Sequence, residues 1–150
     1  MEFVFLSKAD LIAITETWLQ PDDVAVRLEV THSGYKIIDF PRTDRRGGGL
    51  ALLHKTGLVI DGVVNKTKSS FECFEAIIRS GKFTMKLVTL YRPPFSDKHP
   101  VTTSTFLTEF LSYLEEIILS RELLMIVGDF NLHVDDRDNH DAALFLDLLE

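Results

Sequence analysis

The 150-residue chain has the length of one ordinary domain, and a domain of that size can bury about 68–70% of its unfolded surface without a disulfide or metal staple. Its composition, 45% hydrophobic and 26% charged, is that of a globular protein, and its net charge of −7 excludes a protein that coats nucleic acid by charge alone, though not an enzyme with a local basic contact. The single cysteine, Cys73, excludes an intrachain disulfide and a cysteine zinc site, and no apolar run approaches the roughly 18 residues of a membrane span.

The start, Met1 to Asp10, has a short apolar patch, no basic lead and an early charge. It is a poor secretory signal, so an intracellular setting is expected. Asp10 to Thr15 reads as a short buried strand ending at Glu16-Thr17-Trp18. Pro21-Asp22-Asp23 is a turn that caps a short helix running to about Glu29. Tyr35 to Phe40 is strand-like and stops at Pro41. Pro41 to Gly49 is a loop holding Arg42, Arg45 and Arg46 and a run of three glycines. Leu50 to His54 and Gly57 to Val64 read as two further strands.

Phe71 to Arg79 and Thr84 to Leu90 form a predicted hairpin across Ser80-Gly81-Lys82, because a short connection containing glycine favours antiparallel neighbours. Cys73 lies in the first of these runs and is expected to be a buried thiol rather than a reactive one. Tyr91-Arg92-Pro93-Pro94 ends the second run abruptly. From Thr103 to Leu119 the period becomes helical, with Leu107, Phe110, Leu111, Leu114, Ile117 and Ile118 forming an apolar stripe and Glu109, Glu115 and Glu116 lying off it. Leu123 to Asp129 reads as a buried strand, and Asn139 to Glu150 begins a last amphipathic helix. There is no internal repeat or linker, so residues 1–150 are read as one domain. Many strands, mostly in antiparallel order, with a helix before the Asp129 strand point to an α/β sandwich.

Three strand ends carry polar residues after apolar runs: Glu16, Tyr91 with Arg92, and Asp129 with Asn131. Strand ends are where a rigid scaffold can converge side chains on one site. If the extended chain continues through Asn131, Asp129 and Asn131 share a face while Phe130 points to the core. An acid and an amide so placed can hold a hard cation, or a water beside a phosphate. Gly-Asp-x-Asn is also a good turn sequence, and that alternative stays open at this point. His133 continues the alternation and borders the same candidate region, or is a solvated loop residue. A P-loop nucleotide site is a weaker reading of Gly49 to Thr56, because the second glycine of that motif is His54 and the stretch reads as strand.

Taken together, Thr15-Glu16-Thr17-Trp18-Leu19, Arg46-Gly47-Gly48-Gly49-Leu50-Ala51, Tyr91-Arg92-Pro93-Pro94 and Gly128-Asp129-Phe130-Asn131 resemble, in order, the endonuclease/exonuclease/phosphatase (DNase-I-like) superfamily. The flavour is most similar to endonuclease domains of non-LTR, LINE-type retrotransposons. The resemblance implies two mixed β-sheets packed face to face with outer helices, a four-layer sandwich that cleaves phosphate esters with Mg²⁺ or Mn²⁺. It implies that Glu16 binds the metal, Tyr91 contacts the substrate phosphate, Asp129 activates or orients the attacking water, and Asn131 contacts phosphate. DNA is the implied substrate, with a reverse transcriptase domain in the parent polyprotein as a partner and the nucleus as the setting.

Arginines suit phosphates and glycines let backbone approach closely, so Arg42, Arg45 and Arg46 are the expected DNA-backbone contacts, with Arg92 as a further candidate. The family pattern also has an Asn upstream of the glutamate and a Ser-Asp-His near the C-terminus, for which this sequence has no match. The expectation is an incomplete domain lacking its first strand and the Ser-Asp-His segment, active only if turnover survives that loss. The alternative is a non-catalytic nucleic-acid-binding or interaction remnant.

Overall fold

The structure, a computed structural model, describes residues 8–31, 34–43, 47–136 and 138–149. Among them, strands β1 (Leu11–Thr15), β2 (Tyr35–Phe40) and β3 (Leu50–Lys55) form one antiparallel sheet in the order β1-β3-β2. Strands β4 (Val59–Asn65), β5 (Glu72–Ser80), β6 (Phe83–Tyr91) and β7 (Leu123–Asp129) form a second sheet in that order, mixed because β7 runs parallel to β6. A parallel neighbour needs a crossover, and helix α2 (Thr103–Ile117) supplies it. Helix α1 (Val24–Thr31) lies against β2, and α3 (His140–Leu149) follows β7.

The two-sheet α/β sandwich expected from the sequence is the observed fold. Side-chain alternation decides the layers. Leu50 and Leu52 of β3 meet Phe74, Ala76 and Ile78 of β5 and Leu87 and Tyr91 of β6 between the sheets. The opposite face of the four-stranded sheet, with Cys73, Val88 and Leu90, packs on Phe106, Phe110, Tyr113 and Ile117 of α2 and on Phe145 of α3. On the far side of the smaller sheet, Arg27 of α1 forms an ion pair with Asp39 of β2 at 2.6 Å.

The hairpin is tighter than expected: Ser80 pairs with Phe83, leaving Gly81-Lys82 as the turn. The helical stripe is also rotated from the expected one. Phe106 and Tyr113 are fully buried, whereas Leu111 and Ile118 are 46% and 69% exposed. The rings of Phe71, Phe106 and Phe110 pack edge-on and stacked, so the aromatic residues turn the helix and leave the aliphatic ones at its margin. Glu109, expected in solvent, instead accepts hydrogen bonds from Ser69 Oγ, Ser70 N and Ser70 Oγ at 2.6–3.0 Å and ties the β4–β5 loop to α2. Burial alone would raise its pKa, but these bonds outweigh that and hold it below the ordinary carboxylate value.

Candidate active site

Residue 91 is the last of β6 and pairs in register with Asp129, the last of β7, so both side chains leave their strands on the face toward the other sheet. The facing sheet delivers Glu16 just beyond β1, whose residues lie against β6 and β7. The Tyr91 hydroxyl donates to Glu16 Oε1. One acid, one phenol and a second acid from three strands thus meet at one end of the sandwich, as the sequence reading expects. Burial, the bond to Glu16 and the charges of Glu16 and Asp129 all push the Tyr91 pKa up, against a smaller opposing effect of Arg42. Tyr91 is therefore a phenol, and a hydrogen-bond donor, at any ordinary pH.

The backbone at this end is unusual. Glu16, Trp18 and Asn131 have φ of 52°, 56° and 47°, a region that non-glycine residues rarely occupy. Such geometry persists only where surrounding structure imposes it, and it gathers at functional sites. Here the imposition is visible. Thr17 N and Trp18 N donate to the carbonyls of Gly49 and Gly48 at 3.2 and 2.9 Å, and Trp18 Nε1 donates to Glu16 Oε2 at 3.2 Å.

Asp129 and Asn131 are together, but not through continued strand alternation. The strand ends at Asp129, and Asp129 Oδ1 accepts from Asn131 N at 2.9 Å in a turn. The Asn131 amide donates through Nδ2 to Arg92 O at 2.7 Å. Phe130 does point inward, against Phe106, Phe110 and Phe145. Gly128 is fixed by its backbone: at φ 153°, a Cβ would fall on the Leu90 carbonyl oxygen of the neighbouring strand. A cleft of about 410 Å³ lies beside this turn, lined by Asp129, Asn131, His133 and Phe145 among others, so His133 does border the region.

Arg92 is placed differently from the expected phosphate contact. It is 4% exposed, and its guanidinium donates to Phe130 O, Asn131 O and Thr103 Oγ1 at 3.2, 3.1 and 2.8 Å while lying 5.0 Å from the centre of the Phe106 ring. Burial lowers its pKa from the ordinary arginine value. Arg92 holds the Asp129–Asn131 turn from inside, its backbone N donating to Asp129 O at 2.9 Å and its guanidinium to the two carbonyls that follow.

Arg42 is also held within the protein: it forms an ion pair with Glu72, the side chains being 11% and 12% exposed. Glu72, the register partner of Tyr91, accepts from Gly49 N at 2.7 Å as well. Gly48, at φ 71°, passes over this pair so closely that a side chain there would overlap both charged groups. The glycine run is thus a strap joining β1's exit to the Arg42–Glu72 pair. A second cavity of about 340 Å³ adjoins it, lined by Arg42, Glu72, Lys68 and His99 with apolar Phe40 and Phe71. Arg45 and Arg46 lie outside the described residues.

Two participants escaped the sequence reading. Glu72 was legible as a charge in the apolar run from Phe71 to Phe74, which requires a cationic partner once buried. Trp18 stands in the Thr15-to-Leu19 motif, but the motif gives it no role beyond its place two residues after Glu16.

The groups that could hold a cation are the exposed carboxylates of Glu16 and Asp129. An all-oxygen donor set with few carboxylates fits Mg²⁺ or Mn²⁺, which keep several waters, and not zinc. Among the described residues no group of three or more His, Cys, Asp or Glu converges as an ion cage. Nor is any described helix long and apolar enough to cross a membrane.

No curated protein matches the sequence. Solved structures do match. The catalytic domain of human Nocturnin with bound sulfate superposes with TM-score 0.69 at 14% identity, over 96% of this chain and 58% of that one. The D. rerio TDP2 complex with a single-stranded DNA product gives TM-score 0.65 at 16% identity, over 95% and 54%. The Bacteroides thetaiotaomicron mannosyl-6-phosphatase gives 0.69 at 15%, over 97% and 59%. The chain therefore spans somewhat more than half the length of these proteins, and at such identities the likeness is one of fold. The model of the Endonuclease/Exonuclease/phosphatase family matches residues 2–149. With residues 2–149 of the 150 within that match, the chain belongs to the endonuclease/exonuclease/phosphatase family.

Proposed function

We propose that the chain carries the phosphodiester-cleaving site of a Mg²⁺- or Mn²⁺-dependent endonuclease that nicks DNA, in the manner of LINE-type retrotransposon endonucleases. The observation that carries this reading is the bond from Tyr91 to Glu16 with Asp129 beside Tyr91 in register. When bound, the cation offsets negative charge on the phosphoryl oxygens and the leaving oxygen. Glu16 is its ligand. Asp129 orients the attacking water and accepts its proton, with Oδ1 already fixed by Asn131 N. Tyr91, kept as a neutral phenol, gives its one hydrogen to Glu16 and holds that ligand beside the phosphate, while the Asn131 amide, with the Nδ2 hydrogen not given to Arg92 O, donates to a phosphate oxygen without a change of protonation. Trp18, 52% exposed beside the acid, offers an aromatic face of the kind on which bases stack. The superposition on a TDP2 structure holding a DNA product supports a nucleic-acid substrate. A reverse transcriptase domain in the parent polyprotein and a nuclear location complete this reading.

The test is nicking of supercoiled plasmid with Mg²⁺ or Mn²⁺, run beside a phosphomonoester such as mannose 6-phosphate. Nicking abolished by Glu16→Gln and by Asp129→Asn supports the proposal. Release of phosphate from the monoester without nicking overturns the DNA assignment. Salt-sensitive DNA binding with no hydrolysis of either substrate assigns the chain instead to a non-catalytic binding role.

A further inference from the structure

We infer that Trp18 is a positioning residue for the Glu16 carboxylate, fixing it for a divalent cation through the indole N–H. The inference rests on the reading of Glu16 as the cation ligand. Both Glu16 oxygens are engaged by neutral donors from two different segments of the chain: Oε1 by the Tyr91 phenol of the larger sheet, and Oε2 by Trp18 Nε1 at 3.2 Å. Each carboxylate oxygen has two acceptor directions, so these bonds orient the group while leaving lone pairs for a cation. Without them an exposed glutamate would sample many rotamers, and ordering it would fall on the cation.

Burial does not explain Trp18, which stands 52% exposed. Its conformation is nevertheless imposed. A bulky residue at φ 56° is an outlier, and it is held by the bond from its own N to Gly48 O at 2.9 Å. The indole lies over Gly47, its ring atoms 3.6–3.9 Å from where a Cβ there would be. The glycine strap thus seats the ring, and the ring aims its one N–H at the acid. A phenylalanine would fill the same seat without the donor.

The experiment uses Mn²⁺ as the probe and the whole chain. Mn²⁺ affinity is measured by electron paramagnetic resonance, and thermal unfolding by circular dichroism, for the unsubstituted protein, Trp18→Phe and Glu16→Gln. The expected result is unchanged unfolding with Mn²⁺ bound about ten-fold more weakly by Trp18→Phe, the scale typical of outer partners of a metal ligand. Because Trp18 is the only tryptophan of the chain, saturating Mn²⁺ must also quench the emission of the unsubstituted protein, a readout that needs no variant. Glu16→Gln must abolish both binding and quenching. If Glu16→Gln binds Mn²⁺ as the unsubstituted protein does, or the latter binds none, the metal reading of Glu16 fails and this inference fails with it. If Glu16→Gln loses the ion but Trp18→Phe binds it undiminished, or bound Mn²⁺ leaves the emission unchanged, the metal reading stands and the role of Trp18 alone is overturned.

Discussion

Tyr91 spans the two sheets, giving its hydroxyl hydrogen to Glu16 at the exit of β1 while standing beside Asp129 in its own sheet. Deleting that single oxygen separates two consequences. Tyr91→Phe keeps the ring between the sheets and loses one hydrogen bond, so unfolding should move by only about 1 kcal/mol. Nicking should fall far more, roughly 10- to 100-fold, because the phenol orients the carboxylate that holds the cation. Urea denaturation and plasmid nicking on the same preparation check both numbers, and a large stability loss would mark Tyr91 as a packing residue instead.

Arg92 makes the opposite forecast from a phosphate-binding arginine. Its guanidinium bonds to Phe130 O, Asn131 O and Thr103 Oγ1, all within the protein's own fold and partly buried. Arg92→Ala removes three bonds from partly buried acceptors together with the packing of a buried side chain on Phe106, and should destabilise the chain by about 3 kcal/mol. Arg92→Lys keeps a charge but loses the planar fork, and should fall between. Denaturant midpoints test this. If Arg92→Ala left stability intact and weakened only DNA binding, in a salt-dependent way, the internal clamp would be refuted.

Much of this architecture was legible because it follows from periodicity. The apolar run of Leu50 to His54 becomes a strand with all five residues buried, the glycine after Ser80 a hairpin turn and the spacing after Thr103 a helix. The helix nevertheless turns its buried stripe toward Phe106 and Tyr113, and the apolar run of β7 lies at a sheet edge with Leu123 and Met125 exposed. The acid, the phenol and the Asp129 end were legible because apolar runs terminate there. Two features were not. Arg92 follows a strand and precedes two prolines, which reads as exposed loop, yet its partners are mostly backbone carbonyls, and sequence does not reveal where carbonyls converge. Asn131 was extrapolated along a strand that stops at Asp129, because the left-handed φ of 47° depends on the turn that Arg92 itself holds. Local pattern identified the residues, but long-range hydrogen bonding decided their orientation.

The alkaline limit of stability follows from three groups. Burial pushes the Cys73 thiol up to about 12 from an ordinary 9.0, a bond to Tyr113 opposing only in part. Burial likewise raises Tyr113 and Tyr91 above the ordinary phenol value. In each case the folded state keeps a proton that the unfolded chain releases. The stabilisation is therefore complete below about pH 9 and lost as pH rises toward 12. The urea midpoint should be insensitive to these groups at neutral pH and decline above pH 9, and Cys73→Ala should soften the first part of that decline. A thiol reagent at pH 8 should leave native Cys73 unmodified and react on unfolding, since the thiolate is the reactive form. Rapid labelling of the native chain would contradict its burial.

Arg42 and Glu72 give the sharpest test of the glycine strap. The pair lies under Gly48, with both side chains about nine-tenths buried, and Glu72 also receives Gly49 N. A buried pair adds little net stability, because desolvating two charges offsets most of their attraction, but removing one partner strands the other. Arg42→Met alone should therefore destabilise by about 3–5 kcal/mol, and Glu72→Met alone by a similar amount. The double substitution should recover most of that loss, since two apolar side chains of similar length need no partner. The strap also seats Trp18 and receives the backbone of Thr17 and Trp18, so Arg42→Met should loosen the Trp18 emission while the double substitution restores it. Measured as a double-mutant cycle, additive losses with no recovery would mean that Arg42 and Glu72 act separately, and that the strap is held by Gly49 N alone.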